Sequence, residues 1–133
     1  MRIMSRFVQS SIFTFFAISM VCAIYFGYPK IIVEMYGKEI PEKWRMNYSD
    51  MSIGDIEKVI GSPQDVMSAK DYQVWWDYQW WGYKELTLMA SNCCQSNVKP
   101  NYMEYAVHVN GWYGHAYAET IYRRVDTVTP VNP

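Results

Sequence analysis

From Phe7 to Pro29 the chain runs for 23 residues without one Asp, Glu, Lys or Arg, and Ile12 to Tyr28 is almost wholly apolar. A surface helix of a soluble domain needs a polar face, whereas a bilayer needs roughly 20 apolar residues to be spanned. Arg2 and Arg6 are the only charged residues before Lys30. Such a basic flank stays on the cytoplasmic side, and everything after Lys30 is then exported. Two fates fit this pattern. A basic start, an apolar core and Val21-Cys22-Ala23 have the make-up of a secretory signal, cleaved after Ala23 to release a secreted domain. The apolar character nevertheless continues through Ile24, Tyr25 and Phe26, and Tyr25 and Tyr28 suit the far interface as aromatic anchors. The span length favours an uncleaved signal-anchor over residues 1–29. On that reading Phe7–Tyr28 cross the inner membrane once, with the C-terminal domain in the periplasm.

Charge narrows the partners. The chain carries 12 basic and 13 acidic side chains; without Arg2 and Arg6, ten oppose thirteen, a net −3 for the exported part. A weakly acidic domain with no basic run excludes nucleic acid, whose phosphates demand clustered Lys and Arg. Twelve Tyr and six Trp give even a small domain a sizeable core, because each ring buries much apolar area. Cys22 lies in the apolar segment, and the neighbours Cys93 and Cys94 can close only a strained ring. The cysteines therefore make neither a disulfide framework nor a metal site.

Residues 30–48 read as a connector. Ile31-Ile32-Val33 either extends the membrane segment or forms a short strand, and Pro41 to Met46 reads as a brief helical turn with Pro at its first position. The domain follows over 49–124. Ser52 is placed to cap a helix, with Asp55 three residues on in the manner of a capping box. Ile53, Ile56, Val59 and Ile60 recur at helical spacing, Gly61 suits a left-handed cap, and Pro63 blocks continuation. A helix of about two turns is marginal alone, so its stripe must pack on the sequence after it.

After Pro63 the period changes to two. Tyr72, Val74, Trp76, Tyr78 and Trp80 share one face, and the wholly apolar character of that set marks it as the inner one. Gln73, Trp75, Asp77, Gln79 and Trp81 share the other. Gly82-Tyr83 is expected to turn the chain into a second strand with Leu86, Leu88 and Ala90 inward. Ser91 to Asn101 is a polar loop. Met103 to Val109 forms a third strand, with Tyr105, Val107 and Val109 on one side. Asn110-Gly111 suits a two-residue type I′ hairpin. That turn sets Val109 against Trp112 and puts Trp112, Gly114, Ala116 and Ala118 on the core face of a strand running to Tyr122. The tail over 125–133 reads as disordered. The expected class is α+β: an N-terminal transmembrane helix, then a two-layer domain with a short helix packed on a three- or four-stranded antiparallel sheet.

Met51-Ser52-Ile53-Gly54-Asp55-Ile56-Glu57-Lys58-Val59-Ile60-Gly61-Ser62-Pro63 resembles the start of the SmpA/OmlA (BamE-like) domain family, where a capped short helix ends in Leu-Gly-x-Pro. Trp76-Asp77-Tyr78 and Val107 to Gly111 look like that family's aromatic strand and closing hairpin. The resemblance spans about Ser49 to Tyr122. It implies an interaction domain of the cell envelope with a protein partner, in an accessory or scaffold role. The same module resembles inhibitory proteins, which implies the alternative of a periplasmic inhibitor or immunity protein acting on a toxin or hydrolase.

Candidate chemistry is sparse. The hairpin register sets His108 and His115 on one sheet face with Glu104 and Glu119. A His-His-carboxylate set suits zinc, but surface histidines beside tyrosines are far commoner, so no metal and no cofactor are assigned. Asp77 and Glu85 read as isolated carboxylates, nothing lowers the pKa of Cys93 or Cys94, and no catalytic residue is assigned. The candidate site is instead a patch of Trp75, Asp77, Gln79 and Trp81, with Tyr113 and Tyr117 on a neighbouring strand. Exposed Trp and Tyr dominate binding hot spots. A protein partner is favoured there over cell-wall glycan.

Overall fold

The computed structural model describes residues 2–67, 71–91 and 95–124. The tail over 125–133 and the pair Cys93 and Cys94 lie outside them. Helix α1 runs from Arg2 to Ile32, with Pro29 inside it, and passes into a π-helical turn over Val33–Gly37. The segment Ile31–Val33 thus extends the helix and forms no strand. Residues 3–37 are long and apolar enough to cross a membrane or to act as a signal sequence. The far end of this rod is welded to the domain. Ile32 and Val33 are buried, the Tyr105 hydroxyl donates to the Gly37 carbonyl, and a Cβ on Gly37 would meet both Val107 methyls at 3.3 Å.

Two 3-10 turns, Glu42–Trp44 and Tyr48–Asp50, carry the chain across the sheet and bury Trp44 and Tyr48. The Tyr48 hydroxyl donates to the Trp44 carbonyl. Helix α2 spans Ile53–Ile60, and its capping box forms as the spacing predicts, with Asp55 serving where Glu is usual. Its remaining first-turn amides donate to the polar loop: Ile53 N to Val98 O at 2.8 Å and Gly54 N to Ser96 O at 2.9 Å. Gly61 ends it at φ +91°. Ile53 and Ile56 are buried, but Val59 is exposed. At about 100° per residue Val59 stands roughly 120° around from Ile53, beyond the narrow stripe that so short a helix docks.

The sheet is an antiparallel meander of five strands in the order β1-β2-β3-β4-β5: Asp65–Met67, Tyr72–Gln79, Gly82–Met89, Tyr102–Val109 and Tyr117–Arg123. One face meets α2 and the 3-10 turns. It carries Trp75, Leu86, Leu88, Met103, Tyr105, Val107 and Val109, which join Ile53, Ile56, Trp44 and Tyr48 in one core. The period of two in β2 holds, but its two faces are interchanged relative to expectation. Trp75 is 2% exposed and its indole N–H donates to Gly61 O at 3.0 Å, fastening β2 to the end of α2. Tyr78, by contrast, is 68% exposed.

Two turns also differ. Trp80 and Trp81 make the β2–β3 turn, and Gly82 is the first residue of β3, opposite Gln79. Asn110 and Gly111 do turn the chain, with Trp112 N donating to Val109 O at 3.0 Å. Yet β5 begins only at Tyr117, and Val107 faces Tyr117 rather than Gly114. That three-residue displacement is odd, so it reverses which residues of β5 face the core. Tyr117 and Glu119 lie on the covered side and Ala118 on the other. Residues 112–116 become a loop that folds back over the sheet.

Candidate functional site

The face turned away from α2 is crossed by a continuous file of rings. Trp76 and Tyr78 on β2, Tyr83 on β3 and His108 on β4 follow one another. Trp76 lies 6.3 Å from Tyr78 between centroids, Tyr78 lies 5.7 Å from Tyr83, and Tyr83 stacks on His108 at 4.3 Å and 14°. His115, brought in by the loop after Gly111, meets His108 edge-on at 4.6 Å. The register explains the assembly. Trp76 pairs with Glu85 and Tyr83 with His108, and directly paired residues point to the same side. Ala106 and Ala118, paired beside Glu85, are small enough to leave room for the His115 ring.

Glu85 sits at the centre of this face. Its Oε2 accepts from the Trp76 indole N–H at 2.9 Å and its Oε1 from the Thr87 hydroxyl at 3.3 Å. His108 Nε2 lies 3.5 Å from Oε2, and His115 Nε2 lies 3.9 Å from Oε1. Burial pushes the Glu85 carboxyl up, but His108, the Trp76 donor and the nearby imidazoles outweigh it, and the net shift is downward. The Tyr83 hydroxyl is pushed up, first by burial and then by the Glu85 charge. His108 Nε2 is sealed from solvent and meets no hydrogen-bond partner among the described residues. Glu85 is therefore not the isolated carboxylate that its place in the sequence suggests. Of the carboxylates expected on the histidine face, Glu104 does share it but lies further along β4, accepting from the Tyr102 hydroxyl at 2.6 Å, whereas Glu119 is on the covered side and accepts from Tyr117 at 2.9 Å.

The residues singled out for partner contact divide. Trp75 and Trp81, each 2% exposed, belong to the core, because the face they share is the one that α2, the connector and the end of the rod cover. Trp81 stacks on Tyr36 at 6.3 Å and 16°. Asp77 and Tyr117 are half-buried on that same side, and Gln79 is exposed at the strand end. Tyr113 is 99% exposed in the loop. Trp76 and Tyr78, which the alternation assigns to the interior, and Tyr83, expected in the turn, are the rings on the face away from α2. One signal could have revealed this. Leu86, Leu88, Tyr105, Val107 and Val109 are read correctly as inward, so Glu85 and His108 must share the opposite face.

A second aromatic group stands at the turn end of the sheet, beside α1. Trp112 lies 5.3 Å from Tyr25 and 6.0 Å from Phe26 between centroids, and Trp80, 70% exposed, lies 5.8 Å from Tyr36. An apolar groove opens between the Asn110–Trp112 turn and α1, lined by Val21, Ile24, Tyr25 and Pro29. No family model, curated protein or solved structure matches the chain.

Proposed function

We propose that the chain is a non-enzymatic, membrane-anchored protein of the cell envelope that presents the uncovered aromatic face of its sheet to a protein partner. The observation that carries this reading is the file Trp76–Tyr78–Tyr83–His108 on a face that, among the described residues, no helix covers and only the loop bearing His115 crosses. Stacked rings of this kind are rigid and amphipathic, and Trp and Tyr supply most binding hot spots. The resemblance of Met51–Pro63 to the SmpA/OmlA family supports an accessory or scaffold role, and the inhibitor or immunity role remains the alternative for the same face.

The anchor is α1. Arg2 and Arg6 ahead of an uncharged run favour an N-terminus inside and a domain outside the inner membrane. A hydrocarbon span from about Phe7 to Phe26 is roughly 20 residues. It brings Tyr25, Tyr28, Trp112 and Trp80 to the level of the headgroups, where Trp and Tyr are enriched.

The test is capture of partners from cross-linked membranes by the full chain and by a Tyr78→Ala/Tyr83→Ala variant. A dominant partner that the variant loses supports the reading, and its identity chooses scaffold or inhibitor. Equal capture by both chains overturns it.

A further inference from the structure

We propose that Glu85, His108 and His115 bind a divalent metal ion of the zinc type. One carboxylate oxygen and two imidazole nitrogens lie within 4.8 Å of one another, the donor set that zinc and its neighbours take from catalytic and regulatory sites. Ligands around a tetrahedral ion with bonds of about 2.0–2.1 Å stand roughly 3.3 Å apart. The separations of 3.5 Å from Glu85 Oε2 to His108 and 3.9 Å from Glu85 Oε1 to His115, in a donor set spanning at most 4.8 Å, therefore close by side-chain adjustment. His115, on a loop and 42% exposed, is free to make them.

Three features of the surroundings point to a ligand rather than to chance proximity. His108 Nε2 is buried, aimed at the cluster and without a hydrogen-bond partner among the described residues, which is costly unless something occupies it. The His108 ring is held in place by stacking on Tyr83. The carboxylate is oriented from behind by Trp76 and Thr87, as outer-shell donors orient metal ligands. Three protein ligands leave a fourth position to water or to a partner's side chain, on the exposed side of the cluster. The ion would sit among the aromatic rings, but the inference does not depend on what those rings bind.

The experiment uses the full chain in detergent, purified without a histidine tag and stripped with a chelator. Co²⁺ is added and its visible d–d absorption recorded, followed by competition with Zn²⁺. The expected result is one ion per chain with a tetrahedral spectrum, displaced by Zn²⁺. Binding should weaken on acidification, because protons compete with a metal ion for its ligands. His115→Ala, a loop substitution that leaves the sheet pairing intact, should weaken binding by at least about 10-fold with an unchanged circular dichroism spectrum. Trp76→Phe should weaken it by about 10-fold, as loss of an outer-shell donor does. Absence of binding at micromolar Co²⁺ and Zn²⁺, or binding that His115→Ala leaves unchanged, overturns the proposal.

Discussion

A β-carbon built on Gly82 would lie 1.9 Å from the carbonyl oxygen of His108. Gly82 opens β3 at φ +155° opposite Val109, so β3 and β4 approach here more closely than any side chain allows. Replacement must push the strands apart where His108 is carried. Gly82→Ala is expected to destabilise the domain by about 2 kcal/mol or more, the range of a forced backbone shift. At a few degrees per kcal/mol for a chain of this size, that is a fall in Tm of roughly 6 °C or more. A thermal melt monitored by near-ultraviolet circular dichroism reads it, and an unchanged Tm would falsify the close approach.

The interchanged faces of β2 put Trp75 in the core and leave Tyr78, and Trp80 in the turn beyond it, exposed. Trp75→Ala empties a core site and frees Gly61 O from its donor, so a loss of about 3–5 kcal/mol is expected. Trp80→Ala and Tyr78→Ala remove exposed rings and should stay within about 0.5 kcal/mol of the parent chain. Urea unfolding of the three variants distinguishes them. Similar midpoints for Trp75→Ala and Trp80→Ala would contradict the assignment of the covered face.

Ser52 holds the start of α2 through its hydroxyl, which accepts from Asp55 N at 3.3 Å, while Asp55 Oδ2 accepts from Ser52 N at 3.0 Å. Ser52→Ala should cost about 1 kcal/mol. The polar loop also serves the helix start, so Gly54→Ala should loosen it too: its Cβ would come within 3.0 Å of Ser96 O. Amide exchange at Ile53 and Gly54 is the direct measurement, and protection unchanged in both variants would count against this account.

Tyr48 gives the fold an alkaline limit. Burial pushes its hydroxyl up to about 12, and Tyr105 is pushed up as well, again chiefly by burial. A group whose pKa is raised on folding stabilises fully below its unfolded value of about 10. That contribution is lost as pH climbs through the folded value. Stability should thus fall between about pH 10 and pH 12, and Tyr48→Phe should flatten the decline. The variant should also lose about 1 kcal/mol at neutral pH with the bond to Trp44 O. Melting temperatures at four alkaline pH values decide it, and parallel curves for the two chains would dismiss Tyr48 as the cause.

Much of the architecture is legible in the sequence where the signal is local. Ser52, Asp55, Gly61 and Pro63 fix α2 because caps act within one turn, and Leu86, Leu88, Tyr105, Val107 and Val109 declare the inward side of β3 and β4 by alternation. The errors arise where both alternatives are apolar. Both sides of β2 carry tryptophan, so hydropathy cannot say which side α2 will cover, and it is the covalent reach of α2 and the connector that decides. The β5 register fails for another reason: Asn110-Gly111 promises a tight hairpin, but the Asn110 amide donates to Trp81 O and its side chain to Trp80 O. The neighbouring turn thereby takes the residue that would have begun the ladder. The alternation of β3 and β4 puts Glu85 and His108 on one face, but the place of His115 beside them depends on that loop.

The junction after Pro29 has a mechanical meaning. A glycine- or serine-rich tether would let the domain tumble over a wide cone, but α1 passes through Val33–Gly37 directly into contacts with Tyr105 and Val107, and Lys84 Nζ donates to Glu39 O at 2.7 Å just beyond. These contacts tie rod and sheet together, so a membrane that held the rod would leave the domain free chiefly to rotate about the helix axis. A chain anchored by that rod would hold its ring-bearing surface at a constant height and swing it like a weather vane. Encounters with anything fixed in the same plane would become a search over a single angle.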